Sequence, residues 1–94
     1  MSYKLVFKTE ALKEWQLLDA PIKAQFKKKL AKVLIDPRIQ ASKLSGMKDC
    51  YKIKLRSSGF RLVYEVRDAE LIVSVIAVGK RERNHVYKTA VKRL

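Results

Sequence analysis

The chain has 94 residues, 48% of them apolar and only three Gly and two Pro, which is a globular composition and excludes a disordered tail. A chain this short buries only about 60–68% of the surface its unfolded form exposes, so one domain over residues 1–94 with a shallow surface groove is expected, and a deep catalytic cavity is not. Its 22 Lys and Arg against nine Asp and Glu give a formal charge of +13, spread evenly over both halves of the sequence; such a field draws nucleic acid, acidic protein or anionic lipid without choosing among them.

Tyr3 to Phe7 alternates as a short strand. Thr9 can cap a helix that sets Leu12, Trp15 and Leu18 along one stripe. Asp19-Ala20-Pro21 breaks it and starts a second, with Pro21 suited to the first helical position. That second helix places Ile22, Phe26, Leu30, Val33 and Leu34 on one face and Lys23, Lys27, Lys28, Lys29 and Lys32 on its other positions, until Asp36-Pro37 stops it. The lysine run serves first as a solvated outer face, and second as a contact for a large anionic partner. A loop through Ser45-Gly46 leads to three successive strands. They run from about Cys50 to Arg56, from Phe60 to Arg67 after the turn Ser57-Ser58-Gly59, and from Leu71 to Val78 after Asp68-Ala69-Glu70. LIVSVIAV is nearly all apolar, the signature of a central strand covered on both faces, and Gly79 should end it. From about Asn84 a last helix repeats Val86, Ala90, Val91 and Leu94. The order β-α-α-β-β-β-α makes an α+β fold: a mainly antiparallel four-stranded sheet, an N-terminal helical hairpin and a C-terminal helix.

Lys52 and Lys54 are two apart in a strand and so share a face. If the hairpin closes with Arg56 opposite Arg61, then Lys54 faces Val63 and Lys52 faces Glu65. Lys52, Lys54, Arg56 and Arg61 then lie together, while Ile53 and Leu55 point to the helices. Arg81 follows the central strand closely enough to reach the same region, and Tyr87 follows in turn. Cations gathered on one face repel unless a polyanion fills the space between them, which suits a phosphodiester with an aromatic ring beside it to hold a base. A merely solvated basic face is the plainer alternative.

Other chemistries thin out. Cys50 is the only cysteine; it fits a buried, inert thiol and a reducing compartment. A two-histidine acid–base pair is excluded because His85 is the one histidine, and it reads as a surface residue. The carboxylates form no metal-ligand pattern, and no glycine-rich phosphate loop or nucleophile elbow occurs, so neither metal nor cofactor is expected. The N-terminus lacks a secretory h-region and nowhere do about 18 apolar residues run together, which places the chain in the cytoplasm, away from membranes. Metal-free cleavage of RNA stays feasible, because RNA carries its own nucleophile, the 2′-hydroxyl. A lysine acting as base at pH 7 would need its pKa of ~10.4 lowered by about three units. Crowding by other cations and desolvation push it that way, and bound phosphate pushes it back.

In ALKEW, KKKL, KLSGMKDCYKIKLRSSGFRLVYEV, VGKRER and the tyrosine of HVYK, the chain resembles the RelE ribosome-dependent mRNA interferases. These are the toxin half of bacterial type II toxin–antitoxin pairs, and the resemblance covers essentially the whole length. It implies a RelE/ParE-like fold and cleavage of mRNA in the A site of the 70S ribosome, leaving a 2′,3′-cyclic phosphate. By the same resemblance Lys54 is the base, Lys52 and Arg61 brace the phosphorane, Tyr87 stacks on a base, and Arg81 stands at the leaving 5′-oxygen. A guanidinium with pKa above ~12 serves there more easily by charge than as a proton donor. Lys23, Lys27, Lys28, Arg56, Lys80 and Arg83 are candidate contacts to mRNA and ribosomal RNA. A cognate RelB-like antitoxin is implied, wrapping the basic body with an acidic segment and covering or displacing the terminal helix. The toxin–antitoxin complex would bind operator DNA through the antitoxin. The alternatives are a ParE-like gyrase inhibitor without catalysis, a plain RNA- or ribosome-binding module, and a ribosome-independent ribonuclease of the same superfamily.

Overall fold

The computed structural model describes residues 2–80 and 85–94. Strand β1 (Lys4–Phe7) is followed by helices α1 (Thr9–Gln16) and α2 (Ala20–Val33), strands β2 (Cys50–Lys54), β3 (Phe60–Arg67) and β4 (Ile72–Lys80), and helix α3 (His85–Arg93). Short 3-10 turns at Gln40–Ser42 and Asp68–Glu70 complete the chain. The order is the expected β-α-α-β-β-β-α. The sheet runs β1-β4-β3-β2, with β1 parallel to β4 and the other two pairings antiparallel.

Two apolar clusters sandwich the sheet. On one side Phe26, Leu30 and Val33 of α2 and Ala11 of α1 meet Ile53, Leu62, Tyr64, Val73 and Val75. On the other, Val86 and Ala90 of α3 meet Cys50, Val63, Ile76 and Ala77. Strand β4 is thus buried on both faces, as its unbroken apolar run requires. Its register against β3 shifts between Val63 and Tyr64, which pair with Ala77 and Val75. The extra residue, Ile76, makes a bulge that puts Ile76 and Ala77 on the α3 side together.

Several expectations need correction. The β2–β3 hairpin pairs Lys54 with Arg61, Lys52 with Val63 and Cys50 with Glu65, two residues away from the expected register. The cause is the loop at residues 56–59. Gly59 takes φ +78° at its last position, donating to Leu55 O at 2.8 Å while Leu55 N–H reaches Phe60 O at 2.9 Å. In the expected register Ser57 would pair with Phe60 and leave a two-residue turn, Ser58-Gly59, which calls for positive φ at both positions; glycine takes it readily and serine does not. A shift of two preserves which residues share a face. Arg56 does leave the strand and joins the turn. Gly79 does not end β4, which continues to Lys80. Thr9 opens α1 as a helical residue, with Lys8 in the capping position and no side-chain cap bond. On α3 only Val86 and Ala90 are buried, while Val91 and Leu94 stand 56% and 51% exposed.

Candidate active site

The β2–β3 hairpin and α3 build the site. Paired residues share a face, so Lys52, Lys54 and Arg61 lie together on the side of the sheet that α3 covers. Tyr87, one helical position beyond the buried Val86, points back to them. Arg61 Nη1 donates to Tyr87 Oη at 2.8 Å, and the same guanidinium carbon lies 5.7 Å from the centre of the tyrosine ring. Four of the five expected catalytic positions therefore share one face. The fifth, Arg81, lies outside the described residues, as do Arg83 and the expected helix start at Asn84.

Close approach of α3 depends on Gly79, which pairs with Arg61 across β3 and β4. A Cβ at this glycine would sit 3.0 Å from Val86 Cγ2, so hydrogen at that position lets α3 lie down next to Arg61. Tyr87 also lines a hollow of about 320 Å³ with Leu44, Met47, Lys88 and Val91.

The outer edge of β2, bridged at Tyr51 by Lys43, faces a groove of about 470 Å³ further along, in which Lys52, Lys54 and Arg56 meet Lys29 and Lys32 of α2. Five cations thus line one trough that wraps the edge of the sheet. Lys29 and Lys32 belong to the lysine run that the sequence offered as a contact for an anionic partner, but were not singled out with Lys23, Lys27 and Lys28 as RNA contacts. Their three-residue spacing beside the buried Leu30 and Val33 was the available signal. Lys23, Lys27 and Lys28 are not among its lining residues. Lys80 pairs with Phe60, and its Nζ lies 5.8 Å from that ring's centre. That puts it on the helical-hairpin side, opposite to Arg61. Cys50 is fully buried, and its thiol is pushed up to about 11, by burial first and then by Glu65 and Asp49. It is no nucleophile. His85 is exposed, as expected. Among the described residues no group of three or more His, Cys, Asp or Glu is placed to hold a metal ion, and no helix is long and apolar enough to cross a membrane.

A family model described as the ParE toxin of type II toxin–antitoxin system, parDE, matches residues 5–85. Over its full length the chain is 61% identical to the "mRNA interferase toxin RelE" of Escherichia coli (strain K12), covering 99% of that protein. The chain belongs to the RelE family of toxins. The solved structures agree. An E. coli RelE carrying two arginine-to-alanine substitutions, in the free state, superposes with a TM-score of 0.92 at 58% identity, covering 100% of this chain and 99% of that one. The toxin of the intact E. coli RelBE toxin–antitoxin complex superposes with a TM-score of 0.85 at 60% identity, covering 87% of this chain and 100% of that one. The RelE scaffold thus accounts for the mixed sheet, the helical hairpin and the terminal helix alike.

Proposed function

We propose that this chain, as one toxin domain across residues 1–94, is a ribosome-dependent endoribonuclease that cuts mRNA in the ribosomal A site and so blocks translation. The observation that carries the reading is the convergence of Lys52, Lys54 and Arg61 with Tyr87, joined by the Arg61–Tyr87 hydrogen bond. Lys54 takes the proton of the 2′-hydroxyl, whose oxygen attacks the adjacent phosphorus. Lys52 and Arg61 neutralise the charge that grows on the phosphorane oxygens. The bond to the 5′-oxygen breaks, leaving a 2′,3′-cyclic phosphate, with Arg81 stabilising the departing oxygen. Tyr87 holds a base by stacking on its ring, and its hydroxyl keeps Arg61 aimed at the phosphate.

The scheme has a weak base and, at the departing oxygen, charge in place of an acid, so most of the acceleration falls to positioning, which a ribosome can provide by presenting the mRNA in an attack-ready geometry. The groove of Lys29, Lys32, Lys52, Lys54 and Arg56 suits a phosphate backbone, with Lys23, Lys27, Lys28, Lys80 and Arg83 as further cations toward ribosomal RNA. In the cytoplasm the same charge would bind a RelB-like acidic antitoxin, whose complex with the toxin would reach operator DNA through the antitoxin. Neither metal nor cofactor enters the scheme. The match to a ParE model supports a second reading, a gyrase inhibitor without catalysis; full-length identity to an mRNA interferase favours the first.

Programmed ribosomes carrying 3′-end-labelled mRNA, compared with the same RNA free in solution, test the proposal. Cutting confined to the ribosome-bound RNA and ending in a cyclic phosphate is expected. Fast cutting of naked RNA would overturn ribosome dependence. Gyrase inhibition without any RNA cleavage would replace the first reading by the second.

A further inference from the structure

The helix that carries Tyr87 is fastened at its far end by a pair of charges with no role in the scheme above. Arg93 Nη1 and Nη2 donate to Glu14 Oε1 and Oε2 at 2.8 and 3.1 Å, a two-pronged contact between α3 and α1. The pair is also tied to the sheet. Arg93 Nη1 donates to Ile76 O at 2.9 Å, and Glu14 Oε1 accepts from Val78 N–H at 3.1 Å. Strand β1 ends opposite Val75, so the backbone of β4 beyond that point, at its bulge, needs other partners. Glu14 and Arg93 supply one acceptor and one donor there. The Arg93 side chain is only 14% exposed and that of Glu14 32%. The contact with Glu14, more than any other, raises the Arg93 pKa.

The apolar hold on α3 is thin by comparison. Val86 and Ala90 are its buried side chains. A cleft of about 180 Å³, lined by Glu14, Val78, Gly79, His85, Val86 and Thr89, lies where α1, β4 and α3 meet. Among the described residues, polar contacts at two places along the helix therefore fix where it sits along and around its axis. One is Arg61–Tyr87 and the other is Arg93 with Glu14, about 9 Å further along at 1.5 Å per residue; Glu10 Oε2, 3.5 Å from Arg93 Nε and 70% exposed, adds a looser third carboxylate oxygen to that end.

We infer that Glu14 and Arg93 are positioning residues, a latch that holds α3 on β4 beyond the end of β1 so that the Tyr87 hydroxyl stays on Arg61. The inference rests on the proposed RNA cleavage only where it concerns rate. The placement of Tyr87 can be read without any RNA.

The test uses the full chain with 3-fluorotyrosine at its four tyrosines, the Tyr87 resonance being assigned by its loss in Tyr87→Phe. In Glu14→Ala and Arg93→Ala the Tyr87 resonance should move toward that of a solvent-exposed tyrosine while those of Tyr51 and Tyr64, buried on the opposite side, stay in place. Amide exchange should rise across α3 and not across β3. With programmed ribosomes the single-turnover rate should fall about tenfold at an unchanged half-saturating ribosome concentration, a loss confined to the bound state. Arg93→Lys, which keeps the charge but not the two-pronged geometry, should recover part of that rate. The exchanged pair Glu14→Arg with Arg93→Glu should not, because Val78 N–H needs an acceptor and Ile76 O a donor, and because the carboxylate placed at position 93 would face Glu10. Full rescue by the exchanged pair would reduce the latch to a generic ion pair and overturn the inference. A Tyr87 resonance that stays in place in both alanine variants would do the same. Should the alanine variants unfold, Glu14→Gln and Arg93→Lys decide: both must shift Tyr87 alone, and a uniform shift of all four resonances counts against the latch. If the parent cuts no ribosome-bound RNA, the functional reading fails while the fluorine result still decides the latch.

Discussion

Tyr87 has two proposed jobs, one for its ring and one for its hydroxyl, that substitution can separate. Tyr87→Phe keeps the ring for stacking but removes the acceptor of the 2.8 Å bond from Arg61. A hydrogen bond to a charged donor is worth roughly 1.5–3 kcal/mol, and partial exposure of this pair sets the expectation at the lower end. The single-turnover rate should therefore fall with little change in ribosome binding, and more so in Arg61→Ala, which loses the charge as well. Tyr87→Ala should lose about 1–3 kcal/mol more, through the stacked base. Lys54→Ala should lower the rate with binding nearly intact and flatten its rise with pH, the mark of a lost general base; Arg61→Ala should leave that rise in place. If both variants reduce rate and binding in equal proportion, the face is only a phosphate grip. Cys50 gives a control of a different kind. Its thiol is fully buried and pushed up to about 11, so iodoacetamide at pH 8 should leave the folded chain unmodified and alkylate it fully in denaturant. Rapid alkylation of the native chain would show that β2 opens readily.

At the scale of elements, the contact of α3 with the sheet hangs on Gly79. Gly79→Ala brings a methyl to 3.0 Å from Val86 Cγ2, and a β-branched side chain on a packed helix has little room to give. A cost of about 1–3 kcal/mol is expected from such overpacking, read as a lower denaturant midpoint, with a loss of cleavage rate as Tyr87 moves off Arg61. A second element-level device clips the loops at the opposite end of the sheet. Arg38 donates to Asp49, Asp68 and the Tyr51 hydroxyl, and Tyr3 donates to Asp68 at 2.6 Å. Arg38, and then Tyr3, hold the Asp68 carboxyl below its ordinary range. A depressed folded-state value means that this contribution is complete above the unfolded carboxylate pKa of ~3.9 and fades as pH falls through the folded value. Asp68→Asn should therefore narrow the stability gap to the parent as pH drops from 6 to 3, measured by urea midpoints. A constant gap would remove the charge from the explanation. None of this clip was legible in the sequence, because its members are up to 65 positions apart and carry no periodicity. The alternation of β2 and β3, in contrast, made the shared face of Lys52, Lys54 and Arg61 readable even with the register two residues off, since parity survives an even slip.

Across the whole molecule, the layer order was legible for a similar reason: LIVSVIAV admits few places but the middle of a covered sheet. The groove was not legible, because it joins α2 to the β2 edge, and apolar periodicity tells which lysines face outward without telling what they face. That distinction supports a final prediction. The chain carries +13, so its non-specific binding to single-stranded RNA should weaken steeply with salt as counterions are released. About six phosphate contacts would cost roughly 10²–10³ in affinity between about 50 and 200 mM salt. If the groove is where the backbone lies, Lys29→Ala with Lys32→Ala should reduce the magnitude of the log–log salt slope by about 1.4, near 0.7 for each phosphate no longer neutralised. Lys23→Ala with Lys27→Ala removes the same charge from outside the groove and should change the slope by much less. Encounter with an acidic antitoxin should slow with salt in both double variants, because long-range steering responds to net charge and is screened beyond about 8–10 Å. Filter binding over a salt series separates the two cases. Equal slope changes from the two lysine pairs would mean that RNA follows the overall charge of the body and not the groove.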